Sequence, residues 1–387
     1  MNLAERMDLL GTETAFQVLA KAKALEAQGR EIVHLEIGEP DFDTPKHIRE
    51  AAKKALDEGW THYGPANGQP ELREAITAEM QRTRGISVSP DGVVVTPGAK
   101  PIMFFAILAL VNPGDEVIYP NPGFPIYESM INFVRGKAMA LPLLMEKEFS
   151  FDIEDLRRLV SDNTKLLIMN SPHNPTGGKI THEDIAEIAE LAKKHNFWVL
   201  SDEVYSRMQY DTPFESIASI PGMLERTIIL EGFSKTYAMT GWRAGYGVMP
   251  EDLAHHITKL QVNSNSCTSS FTQRACITAL NGPQDESGKM VAEFKRRRDV
   301  IVDGLNDIPG FKCLKPGGAF YVFPNIEETG KASSDLETIL LNEAGVASLS
   351  GTSFGKYGDG FLRFSYANSV ENIEKALSWI KDTVSKF

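Results

Sequence analysis

Seven short apolar runs alternate with helix-like segments through the middle of the chain, and this alternation limits the possible folds most strongly. A helix pattern between two strand-length runs carries the chain back, so that successive strands lie parallel. A sheet built in this way is covered by helices on both faces. We therefore predict an α/β fold with a seven-stranded, mostly parallel sheet between helices. The predicted strands are residues 93–96, 116–119, 138–143, 166–170, 197–202, 227–231 and 245–249.

The chain on either side of this region has a different pattern. At 387 residues it is too long for one compact core, so we expect two or three domains. After the last strand, a helical stretch at 252–280 is interrupted by the polar loop 263–270, and shorter elements then predict a smaller α+β domain. The remaining predicted elements are helices at 13–28, 46–59, 101–111, 181–195 and 335–344, helices starting near Pro70, Lys289 and Val370, and strands at 32–37, 311–314 and 319–323.

Composition excludes several classes of function. The formal charge of −12 and a pI near 5.3 argue against nucleic acid or an anionic membrane as partner. No signal-peptide core is present, and no segment reaches the roughly 18 apolar residues that a membrane span needs, so we expect a cytoplasmic protein. Cys267, Cys276 and Cys313 lack metal-ligand spacing, and we expect them to be reduced and structural, with no metal site.

Lys235 follows the predicted strand 227–231 directly, among small residues. Open α/β sheets bind ligands at the carboxyl ends of their strands. A poorly solvated lysine there can lose its proton near neutral pH and form a Schiff base with an aldehyde cofactor. Arg243, eight positions later, has a planar guanidinium suited to a phosphate. Taken singly, the two residues could equally be a surface lysine and an ion-pair partner.

Other polar residues also occupy strand ends. Gly98, Ala99 and Lys100 precede a helix, where backbone N–H groups can bind an anion, although the same residues could only reverse the chain. Asp202 closes a buried strand and therefore needs a cationic partner, a role that a pyridinium nitrogen can fill. Two prolines bracket Asn174 and fix the direction of its amide.

The segment 232–245 resembles the lysine signature of class I/II pyridoxal-phosphate aminotransferases. With the strand-end motifs, six matching motifs occur in the family's order over nearly the whole chain. The resemblance, closest to the bacterial aspartate aminotransferase-like subgroup, implies fold type I and pyridoxal 5'-phosphate as cofactor. It also implies a homodimer with shared active sites. The implied reaction moves an amino group from an L-amino acid to a 2-oxo acid by a ping-pong mechanism, through a Schiff base on Lys235.

The resemblance also assigns roles to individual residues. Lys235, Asp202 and Tyr205 are implied to be catalytic, and Gly38, Asn174 and Arg363 to bind substrate, with Arg363 holding the α-carboxylate. Gly232 departs from the family, which often has a phosphate-binding serine there, and Ser234 is the candidate replacement. The residues implied to bind the cofactor are Tyr63 of the neighbouring subunit, Gly98, Ala99, Lys100, Phe124, Asn174, Asp202, Tyr205, Ser234, Lys235 and Arg243.

The same resemblance implies a domain division. Residues 46–285 would form the large pyridoxal-phosphate-binding domain, residues 286–387 the small C-terminal domain, and residues 1–45 a segment that joins the small domain.

Rival functions are excluded to different degrees. The segment from Gly351 to Gly355 fits a hydrolase nucleophile elbow, but the last histidine, His256, precedes Ser353, so the triad order is impossible. A dehydrogenase would need a glycine fingerprint that is absent, and a gene regulator would need a DNA-binding module. Carbon–sulfur lyases and decarboxylases of the same fold stay open, because they share the early chemistry of the cofactor.

Substrate choice depends on the distal end of the site. Dicarboxylate selectivity needs a second cation, and the loop 263–270 contains no arginine. Lys100 is a candidate cation, although it could instead bind the phosphate. With Phe124 against the ring and residues 14–16 at the entrance, we expect a broad site. The expected acceptor is 2-oxoglutarate, and a small, apolar or aromatic donor is as acceptable as aspartate.

Overall fold

The computed structural model describes residues 3–387. Its α-helices, in chain order, are α1 (Ala15–Glu26), α2 (Lys46–Asp57), α3 (Pro70–Arg84), α4 (Lys100–Leu110), α5 (Ile126–Phe133), α6 (Ile153–Leu159), α7 (His182–His195), α8 (Phe233–Thr236), α9 (Glu251–Ser264), α10 (Ser270–Asn281), α11 (Asp285–Asn306), α12 (Ser333–Ile339) and α13 (Val370–Val384). Across the described part of the chain, no helix is both long enough and apolar enough to span a membrane.

The strands form one large sheet and two small ones. In chain order they are β1 (Val33–His34), β2 (Val93–Thr96), β3 (Glu116–Asn121), β4 (Lys137–Leu144), β5 (Ser150–Phe151), β6 (Thr164–Asn170), β7 (Trp198–Asp202), β8 (Thr227–Gly232), β9 (Gly245–Val248), β10 (Tyr321–Val322), β11 (Val346–Ala347), β12 (Leu349–Ser350) and β13 (Leu362–Ser365).

The large sheet confirms the predicted α/β architecture. Within residues 3–387 its strand order is β2-β9-β8-β7-β6-β3-β4-β5, and the strands from β8 to β4 in that order pair in parallel. All seven predicted strands are present, and the two-residue strand β5 adds an eighth at one edge. β9 runs antiparallel to both β8 and β2. The connection from β8 to β9 is too short for a long crossover helix, so the chain returns beside β8 in the opposite direction.

Alternation along the strands places apolar side chains on both faces of this sheet. In β8, Ile228 and Leu230 pack among residues of α4, α5 and α9, whereas Ile229 packs against α2, α3 and α10 on the other face. Successive side chains of a strand point to opposite faces, so a run without polar residues requires a helix layer on each side. Helices α6 and α7 cover the part of the second face nearer β4.

Residues from both ends of the chain pack together beside the large sheet. β1 pairs in parallel with β11, and β13 pairs antiparallel with β10 and β12. The predicted strand 32–37 is only two residues long as a regular strand. The reason is that Leu35 bonds to two different neighbours: its N–H donates to Ala347, and its carbonyl accepts from Ser365.

The predicted strands 311–314 and 319–323 do not pair with each other. The first segment makes one isolated bridge, between Lys312 and Asn325, while Tyr321 and Val322 pair with β13. The N–H groups of Gly318 and Ala319 donate hydrogen bonds to loops of the large sheet instead. Gly318 donates to the Gly177 carbonyl and Ala319 donates to the Met208 carbonyl. These contacts fasten the small sheets to the carboxyl ends of the large-sheet strands.

A buried ion-pair cluster lies at the ends of β7 and β8. The Arg84 side chain is 1% exposed, and it donates to the carboxylates of Glu203 and Glu231 at 2.7 Å each. Ser206 donates to Glu231 at 2.5 Å, and Ser216 donates to Glu203 at 2.6 Å. The cluster therefore ties the last turn of α3 to the residues that follow β7 and complete β8.

We expect Arg84→Leu to lower the free energy of unfolding by about 3–5 kcal/mol, because it leaves two buried carboxylates without a cation. Arg157→Leu is the matched control, since Arg157 also contacts two acids, Glu154 and Glu187, but at the surface. Urea denaturation followed by tryptophan fluorescence, with excess cofactor present in every sample, measures the difference. Equal unfolding midpoints for the two variants would contradict a stabilising role of the cluster.

Candidate active site

A cavity of about 580 Å³ opens at the carboxyl ends of the central strands. Its floor includes the last residues of β6, β7 and β8, and its walls come from the first turn of α4, the segment before β1, and strands β10 and β13. The predicted site residues that line it are Gly38, Ala99, Lys100, Phe124, Asn174, Asp202, Tyr205, Ser234, Lys235, Arg243 and Arg363. Motifs that are distant in the sequence therefore meet in one cavity.

Lys235 lies on the short helix α8, directly after β8. Its ammonium donates a hydrogen bond to the Gly38 carbonyl and lies 5.7 Å from the centre of the Phe320 ring. Burial lowers the pKa of Lys235 to about 8, and the nearby Glu39 carboxylate opposes that shift. A lysine in this state has a substantial fraction of neutral, nucleophilic amine near neutral pH.

Asp202 ends β7 at the floor of the cavity. Its carboxylate accepts a hydrogen bond from the Tyr127 hydroxyl at 2.5 Å. Burial raises the pKa of Asp202 to about 6, although the Tyr127 hydrogen bond acts in the opposite direction. Among residues 3–387, no lysine, arginine or histidine forms a salt bridge with it within 4.0 Å. The cationic partner that the sequence argument required is thus not supplied by a side chain.

Arg363 lies on β13 with its guanidinium in the cavity wall. It is 4% exposed and therefore does not face solvent, and it stacks over the rings of Tyr321 and Phe354 at 4.6 and 5.0 Å. Nη1 donates to the Asn174 side-chain oxygen at 3.1 Å and Nη2 donates to the Glu36 carbonyl, whereas the buried Nε has no partner. The Arg363 guanidinium therefore keeps an unused N–H donor, and a carboxylate can accept a hydrogen bond from a guanidinium.

The backbone of Asn174 is held by a chain of hydrogen bonds that reaches Asp202. The Asn174 N–H donates to the Asn170 side-chain oxygen at 2.9 Å, and the Asn170 amide donates to the Asp202 carbonyl at 2.9 Å. This chain fixes the spacing between the ends of β6 and β7.

Backbone and guanidinium donors meet at the start of α4. Gly98 has φ of +86°, and a Cβ there would lie 2.3 Å from Nη2 of Arg243, so only glycine lets the guanidinium approach. Arg243 is fixed by donating from Nη1 to the Thr240 carbonyl at 2.9 Å. Gly98 itself lies behind Arg243 and outside the cavity lining. The free N–H groups at the start of α4 and the Arg243 guanidinium form a cradle for an anion.

The glycine at position 232 also packs against this cradle. Its Cβ position lies 3.3 Å from the Ala99 Cβ, a tight but accessible contact. Gly232 and Ser234 both line the cavity, so the hydroxyl closest in sequence to the missing one is at the site.

Several residues that sequence reasoning missed complete the walls. Tyr321 shares a 2.8 Å hydroxyl hydrogen bond with Tyr205, and a Cβ on Gly38 would lie 2.1 Å from the Tyr321 oxygen. Tyr127 is another, although it lies in the same short segment as Phe124, whose ring it meets edge-on at 5.6 Å. The position of Tyr127 at the start of α5, shortly after the end of β3, could have identified it as a site residue from the sequence.

Lys100 has a partner that the sequence did not suggest. Its ammonium donates to the Glu13 carboxylate and lies 5.2 Å above the centre of the Phe124 ring. Of residues 14–16, which were expected at the entrance, Ala15 and Phe16 line the cavity and Thr14 does not, while Glu13, just before that range, lines it as well.

Tyr63 and the loop 263–270 lie outside this cavity. The Tyr63 side chain is 88% exposed. The two segments are neighbours, because the Ser270 hydroxyl donates to the His62 carbonyl at 2.6 Å. The structure therefore places Tyr63 on the surface, close to the end of the loop 263–270.

The chain was compared with known proteins. A family described as "Aminotransferase class I and II" matches residues 30–380. An aspartate aminotransferase of Pyrococcus abyssi is 40% identical over 97% of both chains, and an aromatic-amino-acid aminotransferase of Thermococcus litoralis is 38% identical, also over 97% of both. The solved alanine aminotransferase of Pyrococcus furiosus superposes with a TM-score of 0.94 at 33% identity, covering 100% of both chains.

The chain belongs to the class I and II aminotransferase family. It is a pyridoxal-phosphate-dependent aminotransferase of fold type I. The relatives named above are aminotransferases, which favours this activity over the lyase and decarboxylase alternatives. The cavity fits the cofactor: a buried carboxylate lacks a cation, a lysine of lowered pKa faces the same space, and an anion cradle lies beside them.

We expect covalent uptake of pyridoxal phosphate by the cofactor-free protein to depend on pH through Lys235. Burial places the pKa of Lys235 at about 8. Each unit by which the pH falls below that value lowers the neutral fraction of the amine about tenfold, so the uptake rate rises with pH and levels off above about pH 8. Borohydride reduction after short incubations, followed by mass spectrometry of the intact protein, measures this rate.

Lys179→Arg is the control for this experiment, because burial also lowers the pKa of Lys179 while its ammonium contacts Thr212 away from the main cavity. That variant should keep the wild-type profile, and Lys235→Arg should take up no covalent cofactor. A wild-type midpoint near pH 10 would be incompatible with a desolvated Lys235.

Proposed function

We propose that this enzyme is a cytoplasmic homodimer that transfers the amino group of a range of L-amino acids to 2-oxoglutarate by a ping-pong mechanism. The observation that carries the proposal is one cavity that holds a lysine of lowered pKa and a buried arginine with an unused donor. Lys235 can move a proton at the substrate Cα, and Arg363 can hold the substrate α-carboxylate.

Individual residues have separate roles toward the cofactor in this proposal. When bound, pyridoxal phosphate supplies an aldehyde that takes the amino group and a ring that withdraws electrons from Cα. Asp202, oriented by Tyr127, holds the proton on the ring nitrogen. The assigned partners are Asn174 and Tyr205 for the phenolic oxygen, Phe124 for the ring face, Tyr63 of the neighbouring subunit, and Gly98, Ala99, Ser234 and Arg243 for the phosphate. Lys100, the other phosphate candidate, instead contacts Glu13 at the mouth of the cavity.

Binding and proton transfer are the work of the chain's own side chains. Arg363 orients the α-carboxylate through its guanidinium, and the Gly38 backbone lines the same cavity. The neutral amine of Lys235 can then take the proton from the substrate Cα, and the resulting ammonium can give a proton back. Its hydrogen bond to the Gly38 carbonyl restricts where that amine can move.

Several features support a broad choice of donor. The related aminotransferases described above are named for aspartate, aromatic amino acids and alanine. In this chain, the wall next to Lys100 contains the aromatic rings of Phe16 and Phe124, which suit apolar side chains.

The domain division and the dimer are part of the same proposal. We assign residues 46–285 to the large domain, and residues 1–45 and 286–387 to the small one, which the pairing of β1 with β11 supports. The exposed ring of Tyr63 supports a dimer in which this residue completes the partner's site.

Product analysis tests the reaction. We expect the enzyme, incubated with a single amino acid, to release about one equivalent of 2-oxo acid per active site and then to stop until 2-oxoglutarate is added, because the amino group stays on the cofactor. Alanine, phenylalanine and aspartate should all serve as donors. Cysteine, which carries a leaving group on Cβ, tests the alternative: continuous release of pyruvate, ammonia and sulfide from it without an acceptor would instead identify a lyase.

A subunit-mixing experiment tests the shared site. We expect Lys235→Ala and Tyr63→Ala to be nearly inactive alone and to regain activity when their subunits are mixed. The hybrid dimer has one site with both native residues. Mixing Lys235→Ala with Lys235→Arg is the control and should restore nothing. A fully active monomer, verified by sedimentation, would contradict the shared site.

A further inference from the structure

Glu13 lies where the N-terminal segment crosses the cavity, two residues before α1 begins. Its carboxylate lines the cavity and accepts a hydrogen bond from the Lys100 ammonium on α4. The two side chains are 22% and 45% exposed, so the pair is at the mouth of the cavity and not in the core. Lys100 also covers the Phe124 ring, at 5.2 Å from its centre. Together, Glu13, Lys100 and Phe124 form what we call the entrance wall.

The entrance wall lines the same cavity as Lys235 and Arg363. Burial lowers the pKa of both Lys235 and Arg363, and the Glu13 carboxylate acts against that shift in both cases. Glu13 is therefore within electrostatic range of both groups that handle the substrate's Cα and α-carboxylate. A side chain that extends from Cα toward the mouth meets this wall.

The charge arrangement decides what such a side chain finds. A distal carboxylate is attracted by Lys100, but that ammonium already holds Glu13, and two carboxylates at one ammonium repel each other. An uncharged side chain needs no ammonium and can lie against the Phe124 ring and the aliphatic part of Lys100. The pair is partly exposed, so a dicarboxylate can displace Glu13 at moderate cost.

We propose that Glu13 is a specificity-determining residue that acts as an internal competitor, occupying the Lys100 ammonium so that dicarboxylate ligands bind only by displacing it. The inference rests on the proposed function and adds a substrate class to it: uncharged donors leave the pair intact, whereas 2-oxoglutarate has to open it. The N-terminal segment, through Glu13, thus lowers the affinity for dicarboxylate substrates, and it does so without moving Lys235 or Arg363.

Binding of two unreactive ligands to the holoenzyme tests this inference. Succinate and butyrate have the same number of carbons, but only succinate has a distal carboxylate. We expect Glu13→Gln, which keeps the size and removes the charge, to tighten succinate binding roughly tenfold, the scale of one charge-assisted hydrogen bond. Butyrate binding should change less than about twofold, because it makes no such bond. Isothermal titration calorimetry at constant pH measures both constants.

Glu5→Gln is the matched control. Glu5 belongs to the same N-terminal segment and also pairs with a cation, Arg135, but outside the cavity lining. That variant should leave both constants unchanged. In the Lys100→Gln background, the gain from Glu13→Gln should disappear, because the two residues act through one contact.

The inference is overturned if Glu13→Gln leaves the ratio of the two constants as it is in the wild type, if both ligands tighten equally, or if the gain persists without Lys100. Glu13→Ser provides a second uncharged variant with the same expectation. In turnover, Glu13→Gln should lower KM for 2-oxoglutarate and change KM for alanine less than about twofold. An enzyme that binds these ligands as expected but performs no transamination would refute the proposed function and leave this inference standing.

Discussion

The burial of charged groups at the ends of the central strands is the constraint on which the site depends. Desolvation moves the pKa of Lys235 down to about 8 and that of Asp202 up to about 6, so a single physical cause favours the neutral form of each group. A cavity of this kind is electrostatically incomplete without a ligand. A group with a phosphate, a ring nitrogen and an aldehyde offers one complementary partner for each of the cradle, the aspartate and the lysine.

The carboxylates next to Asp202 and Gly232, those of Glu203 and Glu231, have partners within the chain. Glu203 and Glu231 are as deeply buried, but Arg84 and nearby serine hydroxyls satisfy them within the chain. Neighbouring positions thus alternate between a side chain that is paired internally and one that faces the cavity. The internal pairs hold the strand ends in place, which lets the cavity-facing groups stay without partners at fixed positions.

Sequence reasoning could predict the groups that follow strand ends, because the carboxyl ends of parallel strands meet at one edge of a sheet. Asn174, Asp202 and Lys235 follow from that rule. Arg243 instead precedes β9, and it reaches the same edge because β9 runs antiparallel to β8. It could not predict Tyr127 as the partner of Asp202, since those residues are 75 positions apart and the contact depends on how α5 packs.

The short strands show the same limit in the fold. Two-residue strands such as β1 and β11 carry almost no periodic pattern, and they pair with segments that are distant in the sequence. The predicted strands 311–314 and 319–323 do not pair with each other, and Gly318 and Ala319 hydrogen-bond instead to distant loops. Long, doubly covered strands were predictable because burial on both faces leaves a continuous apolar run.

The division of work in the cavity follows from this architecture. Lys235 and Asp202 belong to consecutive units of the large sheet, whose strands are paired on both sides and cannot move independently. Glu13 belongs to a segment outside that sheet, joined to α4 by a partly exposed ion pair. Reaction chemistry tolerates little displacement, whereas substrate choice needs only a change in the charge or position of a wall. A single sheet-borne site can therefore serve different amino acids in related enzymes while the residues at its entrance vary.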